Sequence, residues 1–365
     1  MPSLRLALAI EASPLALRPW LEALAGAPTL SLARLVAAAQ LDSDSDGLPD
    51  LVEQAIAERY APIVYHSSDE SNFPTNVDRF LARTELWFYD DACEPDLHEL
   101  VAVAPTQKEL VCFARAGGCG STDTVHSGGT RSRSKQRTFY LKDLPEASRY
   151  GSADSSEWVT YFHAYRNLLD GVTVQYWRFY AYNNALNDHG GDWEGVHLVL
   201  DRDLQPAAVK LLQHSSIEEH PPAECQWEGT HMRIYSEGGG HASHLTGRDV
   251  FARGGPGFID PTVPQTFVRQ ETWTAGSVRW FSGREGKAGA LLNIGSKGAP
   301  MNGQEFIRYS GLWGSPGILY GTSGYWGPAY NETAMVGDFV AAWGDGMKAS
   351  PEYIAAECSP AAWTR

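Results

Sequence analysis

The stretch that most constrains the fold is residues 172–182, "VTVQYWRFYAY", where apolar or aromatic side chains occupy both alternating faces. A strand sends successive side chains to opposite sides, so this one needs cover on both and belongs at the centre of a sheet. A turn at "NNALNDHGG" follows, then a second strand beginning at Asp192, "DWEGVHLVL". Beyond Pro62 the chain is a series of short apolar runs broken by Gly, Pro, Asn and Ser, with 36 Gly, 21 Pro and 12 Trp in all. That punctuation predicts a mainly β protein with helical additions, built on a β-sandwich core.

Residues 28–60 read differently, as helix, acidic loop, helix. "TLSLARLVAAAQL" and "PDLVEQAIAERY" carry apolar residues at helical spacing, the second at Leu51, Val52, Ala55, Ile56 and Tyr60. Between them "DSDSDGLPDLVE", residues 42–53, places oxygen ligands at loop positions one (Asp42), three (Asp44), five (Asp46), nine (Asp50) and twelve (Glu53). Gly47 at six permits the sharp turn and Leu48 offers its carbonyl at seven, which is the spacing of an EF-hand Ca2+ loop. The competing reading is a solvated acidic turn capping the second helix. Pro49 at position eight suits a lone, rigid loop that staples structure. The expected organisation is a helical segment, 1–60, docked on a β-sandwich domain, 61–365, because Tyr60-Ala61-Pro62 leaves no linker.

The charge balance, 29 Lys+Arg against 44 Asp+Glu for a net of −15, excludes a polyanionic partner such as nucleic acid. No stretch reaches the roughly 18 apolar residues of a membrane span, which leaves a membrane surface as the remaining lipid contact. The opening "MPSLRLALAIEASPLALRPW" is interrupted by Glu11 and Arg18 and does not read as a signal peptide. Five cysteines (Cys93, Cys112, Cys119, Cys225, Cys358) without CxxC spacing argue against a zinc ribbon and allow one or two disulfides. Residues 116–138, rich in Gly and Ser, read as a long mobile loop, and "GLWGSPGILYGTSGYWGPAYN" reads as packed loops.

The chemistry concentrates at the mouth of the second strand. Alternation puts Asp192 and Glu194 on the face that carries Val196, Leu198 and Leu200, which is the core face. Two carboxylates entering a core each lose several kcal/mol of hydration unless something pairs with them. A cation is the expected partner, with His189 reaching the same centre across the Gly-Gly turn and Asn183 or Asn184 adding a carbonyl oxygen. One nitrogen and several oxygens suit Mg2+, Mn2+ or Ca2+. "GGGHASH" adds His241 and His244 as candidates facing the same mouth, and Glu70 is a further carboxylate that fits behind the ligands or at a strand end.

"DHGGDWE" resembles the Gly-His-Arg-His-Asp-Trp-Glu heptad of the necrosis- and ethylene-inducing-like proteins, secreted β-sandwich cytolysins in which the first His, the Asp and the Glu bind a divalent metal. The resemblance implies that His189, Asp192 and Glu194 do so here; Gly191 stands where the family has its second His. A wider resemblance, to the vacuolar protein sorting 62 family, runs through residues 57–81, 177–200, 235–245 and 313–328 and implies a fold without an established chemistry.

Three functions are open to such a chain. The first is metal-assisted recognition of a glycan, lipid headgroup or small molecule at the sandwich rim, with Trp193, His241, His244 and Asn183 touching the ligand, at a secreted or surface location and membrane-active as the cytolysin resemblance implies. The second is a hydrolase in which a bound metal activates water and Glu194, Asp192 or His241 relays the proton. The third is a scaffold whose cations only hold loops.

Overall fold

The computed structural model describes residues 41–68, 70–129, 136–152, 157–184, 188–213, 216–247, 267–271, 277–280, 285–286, 291–317, 324–330 and 358. The first helix of the expected hairpin, in residues 28–40, lies outside them. Helix α1 (Asp50–Tyr60) leads into β1 (Ile63–Ser67), β2 (Glu85–Asp90), β3 (Leu97–Val103), β4 (Ala114–Gly118), β5 (Ser121–His126) and β6 (Arg137–Leu141). Next come β7 (Thr160–Arg166), β8 (Val172–Asn183), β9 (His189–Leu200), β10 (Pro206–Gln213), β11 (Ser216–His220), β12 (Trp227–Glu228), β13 (His231–Ser236) and β14 (Ser243–His244). The last are β15 (Phe267–Glu271), β16 (Ser277–Trp280), β17 (Glu285–Gly286) and β18 (Leu291–Asn293).

The strand read first is the centre of the molecule. A six-stranded sheet runs β11-β10-β9-β8-β7-β18, and β8 and β9 are buried along their whole length. They pair antiparallel from Val172↔Leu200 to Asn183↔His189. One face of this sheet packs Val174, Tyr176, Val196, Leu198 and Leu211 against Met232 and Ile234 of a seven-stranded sheet, β12-β13-β1-β15-β16-β17 with β14 on β13. The other face packs Tyr161, Trp177, Phe179 and Trp193 against the β3-β2-β6 sheet and the irregular chain around Trp313 and Trp326. Each large side chain buried in this way contributes roughly 1.5–3 kcal/mol. The "GLWGSPG" and "GYWGPAY" segments are packed loops, as their composition suggests, with Trp313 in full core contact.

Helix α1 belongs to the first of these cores. Val52, Ile56, Ala57 and Tyr60 form its buried stripe, and Pro62, which cannot continue a helix, follows its end. Its side chains join the same cluster as β8 and β9, and the Tyr176 hydroxyl donates to the Ala57 carbonyl at 2.9 Å.

Residues 116–138 correct the sequence reading in part. Residues 114–126 form a two-stranded hairpin, β4-β5, rather than a loop, although much of its surface faces water. Its Cys119 is joined to Cys93, and a second disulfide joins Cys112 to Cys358, leaving Cys225 as a free buried thiol. Thiol titration of the denatured, unreduced protein should therefore count one thiol per chain; a count of three or five would contradict the pairing.

Gly191 shows why the turn before Asp192 reads Gly-Gly. Its φ of +59° lies in the left-handed region, and a Cβ there would overlap the backbone carbonyl of Trp313. Gly191→Ala is expected to destabilise by about 3 kcal/mol or more, read as a fall in urea midpoint. A variant as stable as the parent would show that the Trp313 loop does not seat on this turn.

Candidate metal and ligand sites

Two clusters of carboxylates lie near opposite ends of β8. The first is the acidic loop. Asp42 braces it by accepting from the backbone of Asp46 (3.2 Å) and Gly47 (3.0 Å), while Asp46 accepts from Leu48 N at 2.7 Å. Gly47 takes the sharp turn at φ +89°. Arg166 of β7 donates to the Gly47 carbonyl at 3.2 Å and Ser296 to the Asp44 carbonyl at 2.9 Å, so the loop is tied to the central sheet.

What the loop leaves over is oxygen. Asp44 is 2% exposed and neither carboxylate oxygen has a hydrogen-bond partner; Glu53 is fully buried, with Oε2 accepting from Asn293 at 3.0 Å and Oε1 accepting from nothing. Asp42, Asp44 and Asp46 each present an oxygen, all within 4.8 Å of one another. Burial, then the neighbouring acids, push Asp44 up to about 8 and Glu53 to about 10, and burial with Asp42 pushes Asp46 to about 7. Such a set of hard oxygens fits a divalent cation, which would satisfy the orphaned oxygens and remove the repulsion. Asp50 is different: Ser43 N and Oγ occupy both of its oxygens, at 2.7 and 2.6 Å, so position nine braces the loop.

The second cluster is the strand mouth. Asp192 and Glu194 do share the core face, and both are buried. Asp192 Oδ2 lies 2.8 Å from Nδ1 of His241 and accepts from Asn183 Nδ2 at 3.3 Å. The other ring nitrogen of His241 lies 3.7 Å from Glu70, whose carboxylate also accepts from Gly239, Ser71 and Asn72 backbone N–H groups. The imidazole stacks on Tyr180, ring centres 3.8 Å apart and nearly parallel. Burial alone would lower the His241 pKa, but its contacts with Asp192 and Glu70 prevail and hold it at about 9. Glu70, which burial would raise, is held near 2 by His241 and its backbone donors. His241 is therefore an imidazolium set between two carboxylates. It sits at φ +59°, a costly conformation for a non-glycine residue, at the end of the Gly238-Gly239-Gly240 run.

Glu194 is less well paired, with the Arg178 charge opposing its burial but no hydrogen bond to Oε2. Burial together with Asp192 pushes its pKa well up. Arg178, opposite it in register on β8, donates to Ser243 Oγ (2.8 Å) and the Tyr180 hydroxyl (3.2 Å), and its Nη1 has no hydrogen-bond partner.

Several expectations change here. His189 does not join Asp192 and Glu194. Among the described residues, the three do not form a group with ligand atoms all within 4.8 Å, and the His189 ring packs edge-on against Tyr325 at 4.9 Å. The β8–β9 register is unbroken across Gly191, so the odd spacing sets His189 on the face opposite Asp192 and Glu194. Trp193 is not at the rim: alternation turns it to the opposite face, where it packs on Phe179, Tyr161, Phe306 and Trp313. His241 and Asn183 do reach Asp192, whereas His244 stands beside Glu237 at 3.9 Å. Arg178, Tyr180 and Glu237 were missed. A charged residue inside an otherwise apolar strand was the available signal for Arg178.

No protein-family model matches the chain, so the vacuolar protein sorting 62 resemblance has no support there, and no curated protein matches it. Among solved structures it is similar to the glucosamine complex of NLPPya, at 17% identity over 53% of this chain and 67% of that one, with a TM-score of 0.29. It is also similar to a protein described as a toxin fold for microbial attack and plant defense (14% identity, 53% and 67% covered, TM-score 0.30). A third is Necrosis and Ethylene inducing Protein 2 from the causal agent of cocoa's Witches Broom disease (15% identity, 51% and 76% covered, TM-score 0.25). The chain's own strands make it a mainly β protein, and its structural neighbours, at low identity and partial coverage, are necrosis- and ethylene-inducing proteins.

Proposed function

We propose that this chain is a recognition protein. Its β8–β9 mouth binds a glycan or lipid headgroup with the help of a divalent cation, Mg2+, Mn2+ or Ca2+, and Ca2+ in loop 42–53 staples the fold at the other end. The observation that carries the first part is Glu194: a buried carboxylate beside a second one, with an oxygen that no protein group satisfies. Among the described residues Arg178 and the His241 imidazolium stand as counter-charges beside Glu70, Asp192 and Glu194, and neither bonds the Glu194 Oε2 oxygen, which leaves a place for a cation. Asp192 and Glu194 would hold the ion, which would present positive charge to hydroxyl or phosphate oxygens of a ligand. The two disulfides suit an oxidising compartment, so the proposed location is secreted or surface.

Calorimetric titration tests this with glucosamine, mannosamine and a phosphorylated headgroup, each in divalent metal and in chelator. Binding is expected in metal, absent in chelator, and weakened about tenfold or more in Glu194→Gln. Equal binding in chelator would contradict the proposal, and ligand turnover would replace it with metal-dependent hydrolysis.

A further inference from the structure

The end of the sheet opposite the mouth carries a second feature, the turn between β7 and β8. Asn167 builds it: Oδ1 accepts from Leu169 N (2.9 Å) and Gly171 N (3.1 Å), while Nδ2 donates to the Leu200 carbonyl at 2.9 Å. Asp170 follows at φ +55°. This braced turn holds Leu168 79% and Leu169 54% exposed. Arg166, at the base of the turn, is the residue that donates to Gly47 of the acidic loop, and Leu41, which precedes that loop, is 56% exposed. Leu168 and Leu169 thus sit on a turn whose base is tied to the acidic loop, and Leu41 adjoins that loop in sequence.

We infer that this end of the molecule is a phospholipid-contacting tip, in which Leu168 and Leu169 enter the acyl boundary while Ca2+ in loop 42–53 meets a headgroup phosphate. The inference rests on the calcium reading of that loop. Two observations select a lipid surface. The Ser43 bonds to both oxygens of Asp50 leave position nine of the loop without a direct protein ligand, a coordination place open to water or to a phosphate oxygen. A leucine pair at a turn falls far short of the roughly 800 Å² per partner that a stable protein interface buries, whereas shallow insertion of a few apolar side chains is how a peripheral protein gains a bilayer. Without the ion the loop offers a phosphate only acidic side chains; with it the tip can approach. β8 spans its length at roughly 3.3 Å per residue, so the tip lies some tens of ångströms from the strand mouth and leaves it free.

Co-sedimentation of the full chain with phosphatidylcholine vesicles, with and without phosphatidylserine, tests the inference in calcium and in chelator. Melting curves are taken on the same samples. Binding is expected in calcium, with about a tenfold loss in chelator and a similar loss for the Leu168→Ser, Leu169→Ser double variant, whose melting should match the parent because both side chains are exposed. Three results would overturn it: no vesicle binding although calcium raises the melting temperature, undiminished binding by the double variant, or leucine-dependent self-association in calcium without vesicles. Melting indifferent to chelator would instead remove the calcium reading itself, and vesicle binding equal in chelator would then remove calcium from the tip.

Discussion

Chelation should lower the melting temperature by about 10 °C at neutral pH. A ligand present at about a thousand times its dissociation constant stabilises by roughly 4 kcal/mol, and each kcal/mol moves a domain of this size by about 2–4 °C. The pH dependence gives the effect a signature. In chelator, Asp44, Asp46 and Glu53 have native pKa values of about 8, 7 and 10, above the ordinary 3.8 and 4.5. The native state then holds protons that the unfolded chain has released, so its stability is greatest below about pH 4 and falls as pH rises toward 7–10. The loss caused by chelator should accordingly widen between pH 5 and pH 8. Asp44→Asn combined with Glu53→Gln should melt at the same temperature with or without calcium. If that variant kept the parent's chelator sensitivity, the ion would have to sit elsewhere.

His241→Gln should cost roughly 3–5 kcal/mol at pH 7, since removing one member of a buried ionic group strands the others. Here two carboxylates, Asp192 and Glu70, lose the imidazolium between them. In chelator, where no metal occupies the mouth, the stability difference between parent and Gln variant, from which the acidic loop cancels, should be full below pH 6.5 and lost as pH rises through about 9, because the native His241 pKa is raised. On the acid side Glu70, held near 2, should cost stability as pH falls from about 4.5. The Gln variant should lack this part of the alkaline slope. Urea titrations across this range measure both, and a variant with the parent's stability and slope would show that His241 is neutral in the native protein.

The central sheet was legible because its strands obey one rule. Aromatics on both faces of residues 172–182 demanded two covering layers, and the structure supplies them. Alternation also placed Asp192 and Glu194 with Val196, Leu198 and Leu200, because β8–β9 pairing runs without a bulge. What failed was the reach assumed across the glycines. His189 lies an odd number of residues before Asp192 in an unbroken register and so falls on the opposite face, and the chain that receives it there, around Trp313 and Tyr325, lies more than a hundred residues away. Arg178 escaped because the aromatic pattern around it dominated the reading. The β4–β5 hairpin escaped because Gly and Ser gave no apolar alternation, and the disulfide to Cys93 is a long-range fact. The gathering of Asp42, Asp44 and Asp46 was the easiest part, since they are spaced along one short segment; the hydrogen bonding of Asp50 to Ser43 needed coordinates.

Anomalous diffraction from crystals grown in manganese and an amino sugar is the most direct measurement. Two peaks are predicted, one among Asp44, Asp46 and Glu53 and one bounded by Asp192 and Glu194, the second in contact with the sugar. A manganese peak confined to the acidic loop, with sugar bound at a metal-free mouth, would contradict cation-assisted recognition.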